Sequence, residues 1–203
     1  LSDFKSWREA IVGFVDANDT RINQLKEIVS IDHLLPNDVL PDAKSIICFF
    51  IPFTEEIGKS NIPNKLASEK WALTYIRTNA LIAEISNDIE AFLNNSGYSV
   101  GKIPATHNFD YKTLISNWSH RHLAYLSGIG SFGINNMVIT DMGCCGRLGS
   151  IVTNYPFKTT TDSNKERCLN KINGSCGLCV NRCINNAFAD NNYNRLICYE
   201  MCL

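Results

Sequence analysis

The sequence predicts an α/β (α+β) sheet domain with flanking helices, followed by a small cysteine-rich module. Three observations predict this. Strand-length apolar runs alternate with helix-period patterns up to about residue 155. The composition then turns polar in the stretch PFKTTTDSNKER. Finally, six of the nine cysteines lie between Cys168 and Cys202. The expected division is residues 1–155 for the sheet domain and 156–203 for the module.

Each element has its own signal. Phe4, Trp7, Ile11 and Phe14/Val15 recur at helical spacing, and Asp3 can cap the start, so residues 3–16 predict a helix. Residues 45–51 (SIICFFI) are continuously apolar and end at Pro52, which predicts a buried strand. Residues 66–95 predict a long amphipathic helix with a buried stripe of Tyr75, Ile82, Ile85, Ile89 and Phe92, stopped by Gly97. Residues 98–103 predict a strand. Residues 111–126 (YKTLISNWSHRHLAYL) predict a helix ended by Gly128, with Asp110 as its N-cap. Residues 137–140 and 148–153 predict two short strands around the turn GCCG.

Composition excludes several classes. A chain of 203 residues with 45% hydrophobic and 19% charged residues reads as one folded domain, or one with a small appendage. A net charge of −1 argues against a broad polybasic surface for nucleic acid. No apolar run approaches the ~20 residues of a membrane span. The segment LSDFKSWREA is charged and lacks the apolar core of a secretory signal, so a cytoplasmic protein is expected. Nine cysteines are an odd number, and their clustering in such a setting predicts metal ligands over disulfides.

The cysteine spacing is specific. Seven residues separate Cys168 from Cys176, two separate Cys176 from Cys179, and three separate Cys179 from Cys183. The ferredoxin run is C-x2-C-x2-C-x3-C-P, whose C-x2-C-x3-C portion survives here as Cys176, Cys179 and Cys183. The first ligand has moved upstream to Cys168, and Ile184 replaces the proline. A [4Fe–4S] cluster on these four thiolates is the expectation, and it makes the module ferredoxin-like. A four-cysteine zinc site would ordinarily use two separated C-x2-C knuckles, of which one is present. Cys198 and Cys202 are four apart and share a helix face. With Cys144 and Cys145 of the GCCG turn they bring the candidate ligands to eight, the number two cubanes need. A single cluster with spare thiols is the alternative. Cys48, between Ile47 and Phe49, is expected to be core packing.

Residues 128–133 spell GIGSFG, formally GxGxxG. A dinucleotide fingerprint follows a strand and opens a helix, whereas this one follows a helix and precedes a strand, so an NAD site is not expected. The run WSHRHLAYLSGIGSFGINNMVIT, then GCCGRLGSIVTN, then CGLCVNRC, resembles epoxyqueuosine reductase and its relatives over roughly residues 110–190, with an echo at SIICFFIPF. The resemblance implies the fold of the cobalamin-processing and reductive dehalogenase proteins, two clusters, and a corrinoid that receives their electrons. It places Gly128, Gly130, Gly133 and Asn135 at a corrinoid-facing turn, with Arg147 and residues 149–153 on the adjacent strand. It implies an electron donor such as a ferredoxin or flavodoxin, and a small-molecule cofactor or substrate. The sequence departs from the family where Ile134 stands for a usual Lys and Ser131 for a usual Trp. The family's second cysteine run and tRNA-binding tail are not found in this sequence, so no nucleic-acid partner is expected. The family's proton-donating Asp has Asp110 as its candidate here, with His120 as a second catalytic candidate.

The remaining polar residues read more plainly. His120 and His122 are two apart on the expected helix and point to different faces, so with Arg121 they read as decoration of a surface helix or as a proton donor or phosphate contact. His107 flanks the helix start, and His33 has no identifiable partner. Trp118 and Tyr125 share a face and read as core. Two other functions fit the sequence: a ferredoxin-type electron carrier with a docking domain, and a zinc-stabilised binding module.

Overall fold

The structure is a computed structural model and describes residues 4–62, 66–105, 109–160, 165–188 and 193–200. His107 and Cys202 lie outside the described residues. In chain order the elements begin with strand β1 (Ile11–Asp16) and helices α1 (Thr20–Asn23), α2 (Leu25–Ile28) and α3 (Pro36–Val39). Strand β2 (Ser45–Pro52) and helices α4 (Glu55–Ser60) and α5 (Glu69–Asn95) follow. Next come strands β3 (Val100–Lys102), β4 (Phe109–Asp110) and β5 (Ile115–Ser116), then helix α6 (His120–Leu126). Strands β6 (Gly130–Phe132), β7 (Val138–Thr140) and β8 (Gly146–Thr153) close the sheet region. The cysteine-bearing segment holds three short helices, α7 (Leu169–Asn173), α8 (Leu178–Asn181) and α9 (Arg195–Tyr199).

The main sheet is antiparallel, in the order β1-β2-β8-β3. All of β2 is buried because both sheet faces are covered, which explains its uninterrupted apolar sequence. Its alternation assigns the faces. Ile47, Phe49 and Ile51 pack with Ile82 and Leu93 of α5, while Ile46, Cys48 and Phe50 pack with Trp118, Leu123 and Ala124 around α6. Cys48 is fully buried in that second layer, as its sequence context predicts.

Helix α5 starts where Ser68 accepts the Trp71 N–H at 3.1 Å and stops before Gly97, whose φ of 83° an L side chain rarely adopts. Its buried stripe keeps Ile82, with Ile85 and Ile89 packed against the same cluster, and departs from the expected one toward its ends. Thr74, Thr78, Ile82 and Leu93 are buried and Phe92 is 72% exposed. Thr78 is inside because its hydroxyl takes the indole N–H of Trp7 at 2.8 Å.

One expected helix is replaced by a strand and another forms only in part. The stretch expected as helix 3–16 contains edge strand β1, paired with β2 from Ile11↔Phe50 to Asp16↔Ser45. β-Branched Ile11, Val12 and Val15 favour a strand, and Gly13 lets its backbone meet Ser127 and Ile129 without a side chain between. Residues 111–126 divide into the rest of the β4–β5 hairpin and the shorter α6. Asp110 caps the hairpin turn, its carboxylate accepting the Lys112 and Thr113 N–H groups at 3.0 and 2.7 Å. The N-cap of α6 is Ser119.

The cysteine-bearing segment is tied to the sheet region through Thr160, whose hydroxyl donates to the Ser127 carbonyl at 2.7 Å, and through Arg167, which pairs with Asp141 at 2.9 Å. Glu166 accepts from the Ser131 hydroxyl at 3.1 Å and the Cys168 N–H at 2.8 Å. Among the described residues, no helix is long and apolar enough to cross a membrane.

Candidate functional site

A cavity of about 620 Å³ opens at the end of the sheet where β8 begins. Its floor is Phe50 of β2 with Gly146, Arg147 and Leu148 of β8. The first turn of α6 supplies Ser119, His120, Arg121 and His122. The β4–β5 hairpin supplies Phe109 and Ile115, Tyr75 comes from α5, and residues 136–138 come from the approach to β7 and its start. The cysteine-bearing segment reaches across with Tyr193, Arg195, Cys198 and Tyr199. Sheet domain and cysteine segment therefore build one cavity together. Cys144 and Cys198, far apart in sequence, both face it.

His120 is fixed by two partners. Its Nε2–H donates to the Pro104 carbonyl at 3.2 Å, and its Nδ1 accepts from the Ser150 hydroxyl at 2.7 Å. Ser150 in turn accepts the Trp118 indole N–H at 3.0 Å. Burial pushes the His120 pKa down to about 4, and the nearby Arg147 charge adds to this, although the Pro104 bond opposes it. His122 is pushed down to about 4 by burial and by Arg121, so both imidazoles are neutral at pH 7. Neither decorates a free surface: the first turn of α6 is itself a cavity wall, so side chains two apart both reach it. His33 also has partners. Its Nδ1–H donates to the Leu34 carbonyl at 2.7 Å, its Nε2 accepts the Ser119 N–H at 3.1 Å, and it stacks on Trp118.

The arginines are held by neutral groups. Arg121 donates to the Asn136 carbonyl at 2.7 Å. Arg147 donates to Asn79 Oδ1 at 3.1 Å and the Ala105 carbonyl at 3.3 Å, with its guanidinium 4.4 Å from the centre of the Tyr75 ring. Burial lowers the pKa of both.

The four cysteines with ferredoxin-like spacing sit on neighbouring short elements: Cys168 caps α7, Cys176 and Cys179 flank and enter α8, and Cys183 follows it. Burial pushes the Cys168 thiol up, but backbone N–H groups of Ile134, Lys171 and Asn170 at its sulfur prevail and hold it below its ordinary value. Cys179 is raised by burial, with Cys168 and Cys176 near enough to add to the effect. Cys183 accepts the Ala187 N–H at 3.2 Å. Such amide-to-sulfur bonds are what cluster thiolates require. In the described part of residues 165–200 only Cys168 and Ala187 are buried, while Leu169, Ile172, Leu178 and Ile184 are about half exposed or more. A segment with so little apolar core fits one organised by a bound cluster. Among the described residues, no three His, Cys, Asp or Glu side chains are gathered tightly enough to grip a single metal ion.

The other expected site residues are dispersed. Of the turn expected to face a corrinoid, only Arg147 on the adjacent strand lines the cavity; Gly128, Gly130, Gly133 and Asn135 do not. A Cβ on Gly130 would lie 2.4 Å from Val138 Cγ1, and one on Gly133 2.9 Å from Ile139 Cδ1. Gly130 and Gly133 thus let the chain pack closely on β7, and those two positions do not fit a corrinoid as an open cradle; Gly128 ends α6 at a φ of 77°. Asp110 is exposed, spends its carboxylate on its own turn, and does not line the cavity. Cys144 and Cys145 are vicinal in the turn, and Cys145 donates to Cys144, lowering the Cys144 pKa and raising that of Cys145.

No family model matches the chain, and none of the curated proteins does. Solved structures do match. An epoxyqueuosine reductase with selenomethionine label superposes with a TM-score of 0.62 and 18% identity, covering 94% of this chain and 52% of its own. The fold is that of epoxyqueuosine reductases. The Bacillus subtilis enzyme, captured with its catalytic aspartate loop swung out of the active site, gives a TM-score of 0.63 and 19% identity, with 94% of this chain and 52% of that chain covered. The Streptococcus thermophilus enzyme gives 0.55 and 18%, covering 91% and 51%. This chain spans about half the length of those proteins.

Tyr75, Tyr193, Arg195 and Tyr199 join the cavity without a local sequence signal, since only the fold brings α5 and α9 to the end of the sheet.

Proposed function

We propose that this chain is an iron–sulfur oxidoreductase of the epoxyqueuosine reductase type, with residues 1–155 as the substrate-holding domain and residues 156–203 as a ferredoxin-like module. Cys168, Cys176, Cys179 and Cys183 hold a [4Fe–4S] cluster. Cys198, with Cys202, Cys144 and Cys145 as further thiols, supplies a second. The observation that carries the reading is the shared cavity: the cysteine-bearing helix α9 forms one wall, and Cys198 lies in it. A cluster held there supplies electrons one at a time to whatever the cavity contains.

The chain's own groups shape that cavity. Neutral His120, locked by Ser150 and Pro104, keeps one tautomer, and aromatic side chains form part of the wall. A ferredoxin or flavodoxin donor and a cytoplasmic location suit this chemistry.

Anaerobic purification with iron and acid-labile sulfide analysis, and EPR of the reduced protein, tests the reading. About eight irons per chain would support two cubanes and about four would support one. A colourless protein without sulfide would end it, and zinc in place of iron would select a structural zinc module. A cavity that binds no small molecule, in a protein that still carries clusters, would favour a plain electron carrier.

A further inference from the structure

The cavity wall has an unbalanced charge. Arg121 from α6, Arg147 from β8 and Arg195 from α9 all line it, and among the described residues no aspartate or glutamate does. Among the described residues none of the three forms an ion pair with a carboxylate. Arg121 and Arg195 come near enough to repel one another, with the Tyr193 hydroxyl beside Arg121 acting in the opposite sense. The histidines beside them are neutral at pH 7 and contribute no further charge. Arg121 and Arg147 are desolvated and have only neutral partners, an arrangement that is costly beside a third guanidinium, the exposed Arg195, unless an anion completes it. Aromatic side chains share the wall with aliphatic ones, and Tyr75, Phe109, Trp118 and Tyr199 stand around the same space.

We propose that the cavity takes a flat, aromatic small molecule bearing an oxyanion, a carboxylate or a phosphate, seated between Arg121 and Arg195 with its ring among the aromatic side chains. Guanidinium forks bind both oxyanions through paired N–H donors, and two such forks at one site favour the doubly charged phosphate. That this ligand is the substrate of reduction rests on the function proposed above; its binding does not. Arg195 belongs to the cysteine-bearing segment, so the ligand would span the two parts of the chain and sit beside Cys198.

The test is calorimetric titration of the anaerobically purified, cluster-loaded protein with phenyl phosphate, benzoate and benzyl alcohol. Phenyl phosphate or benzoate is expected to bind at least about tenfold more tightly than benzyl alcohol, the size of one charge-assisted contact. Tighter binding of phenyl phosphate would assign a phosphate, and tighter binding of benzoate a carboxylate. Arg195 is exposed, so Arg195→Gln leaves the core intact and should weaken the anion by about tenfold while leaving benzyl alcohol unchanged. Arg121→Gln should do the same. Equal affinity for all three probes, no saturable binding, or anion affinity unchanged in both variants would overturn the proposal. Iron and sulfide content measured on the same samples separates the two claims. Anion binding without clusters would remove the redox reading alone, and clusters without anion binding would remove this inference alone.

Discussion

Ser150 on β8 holds the imidazole of His120 on α6, Oγ to Nδ1, at 2.7 Å. The same hydroxyl accepts the indole N–H of Trp118, so one small side chain serves two large ones across the sheet–helix interface. Ser150→Ala should leave the buried Trp118 N–H and the His120 nitrogen without partners. The expected cost is about 1–3 kcal/mol, read as a lower urea midpoint with unchanged m-value. A midpoint equal to that of the parent protein would show that the network contributes nothing to stability.

The depressed histidines set an acid limit. His120 and His122 have folded pKa values of about 4 against 6.5 when exposed. As pH falls below 6.5 the unfolded chain takes up protons first, so stability is full above pH 6.5 and is lost progressively toward pH 4. The pair should account for roughly 2–4 kcal/mol over that window, after allowance for solvent screening. Urea midpoints of the double variant His120→Gln/His122→Gln should fall less between pH 7 and pH 4.5 than those of the parent. Parallel curves would place the acid sensitivity elsewhere.

Much of this architecture was legible in the sequence. SIICFFI could only be a strand covered on both faces, and the 66–95 periodicity with Gly97 marked α5 within a few residues. The two misread helices share a physical cause. Phe4, Trp7, Ile11 and Phe14 fit a helical period by chance, and what decides for β1 is a neighbour, the unpaired edge of β2. Asp110 looked like a helix cap because a carboxylate that caps a tight turn carries the same local signature as an N-cap. The cysteine run displayed its spacing openly. The cavity did not, because Tyr75, Arg147 and Arg195 are separated by long stretches of chain and share only a place at one end of the sheet. Of the glycines of GIGSFG, Gly130 and Gly133 serve the close contact with β7, and Gly128 follows the end of α6 at a φ of 77°.

Close backbone approach makes Gly13 intolerant of a side chain. A methyl group there would lie 2.7 Å from Ile129 Cγ2 and 2.9 Å from the Ser127 carbonyl oxygen, and a carbonyl at the end of α6 cannot rotate away. Gly13→Ala should therefore destabilise the protein by about 1–3 kcal/mol. Gly177→Ala serves as the comparison, since its nearest neighbour would be the movable Asn181 amide at 3.4 Å, and it should cost far less. Urea unfolding of the two variants side by side checks the difference.

Removing single thiols distinguishes ligands from core. Cys176→Ser and Cys179→Ser should each lower iron and sulfide content and bleach the broad visible absorbance, because an alcohol is a poor substitute for a thiolate on iron. Cys48 is fully buried between α6 and the sheet, and burial pushes its thiol up to about 12, so it offers no thiolate at neutral pH. Cys48→Ser should therefore keep the iron content of the parent protein while losing stability, since it places a more polar group in an apolar layer. Cys198→Ser is the informative case. A drop of about four irons would show that the helix beside the cavity carries a second cubane, whereas unchanged iron would confine the cluster to the 168–183 run and leave Cys198 as a wall of the cavity.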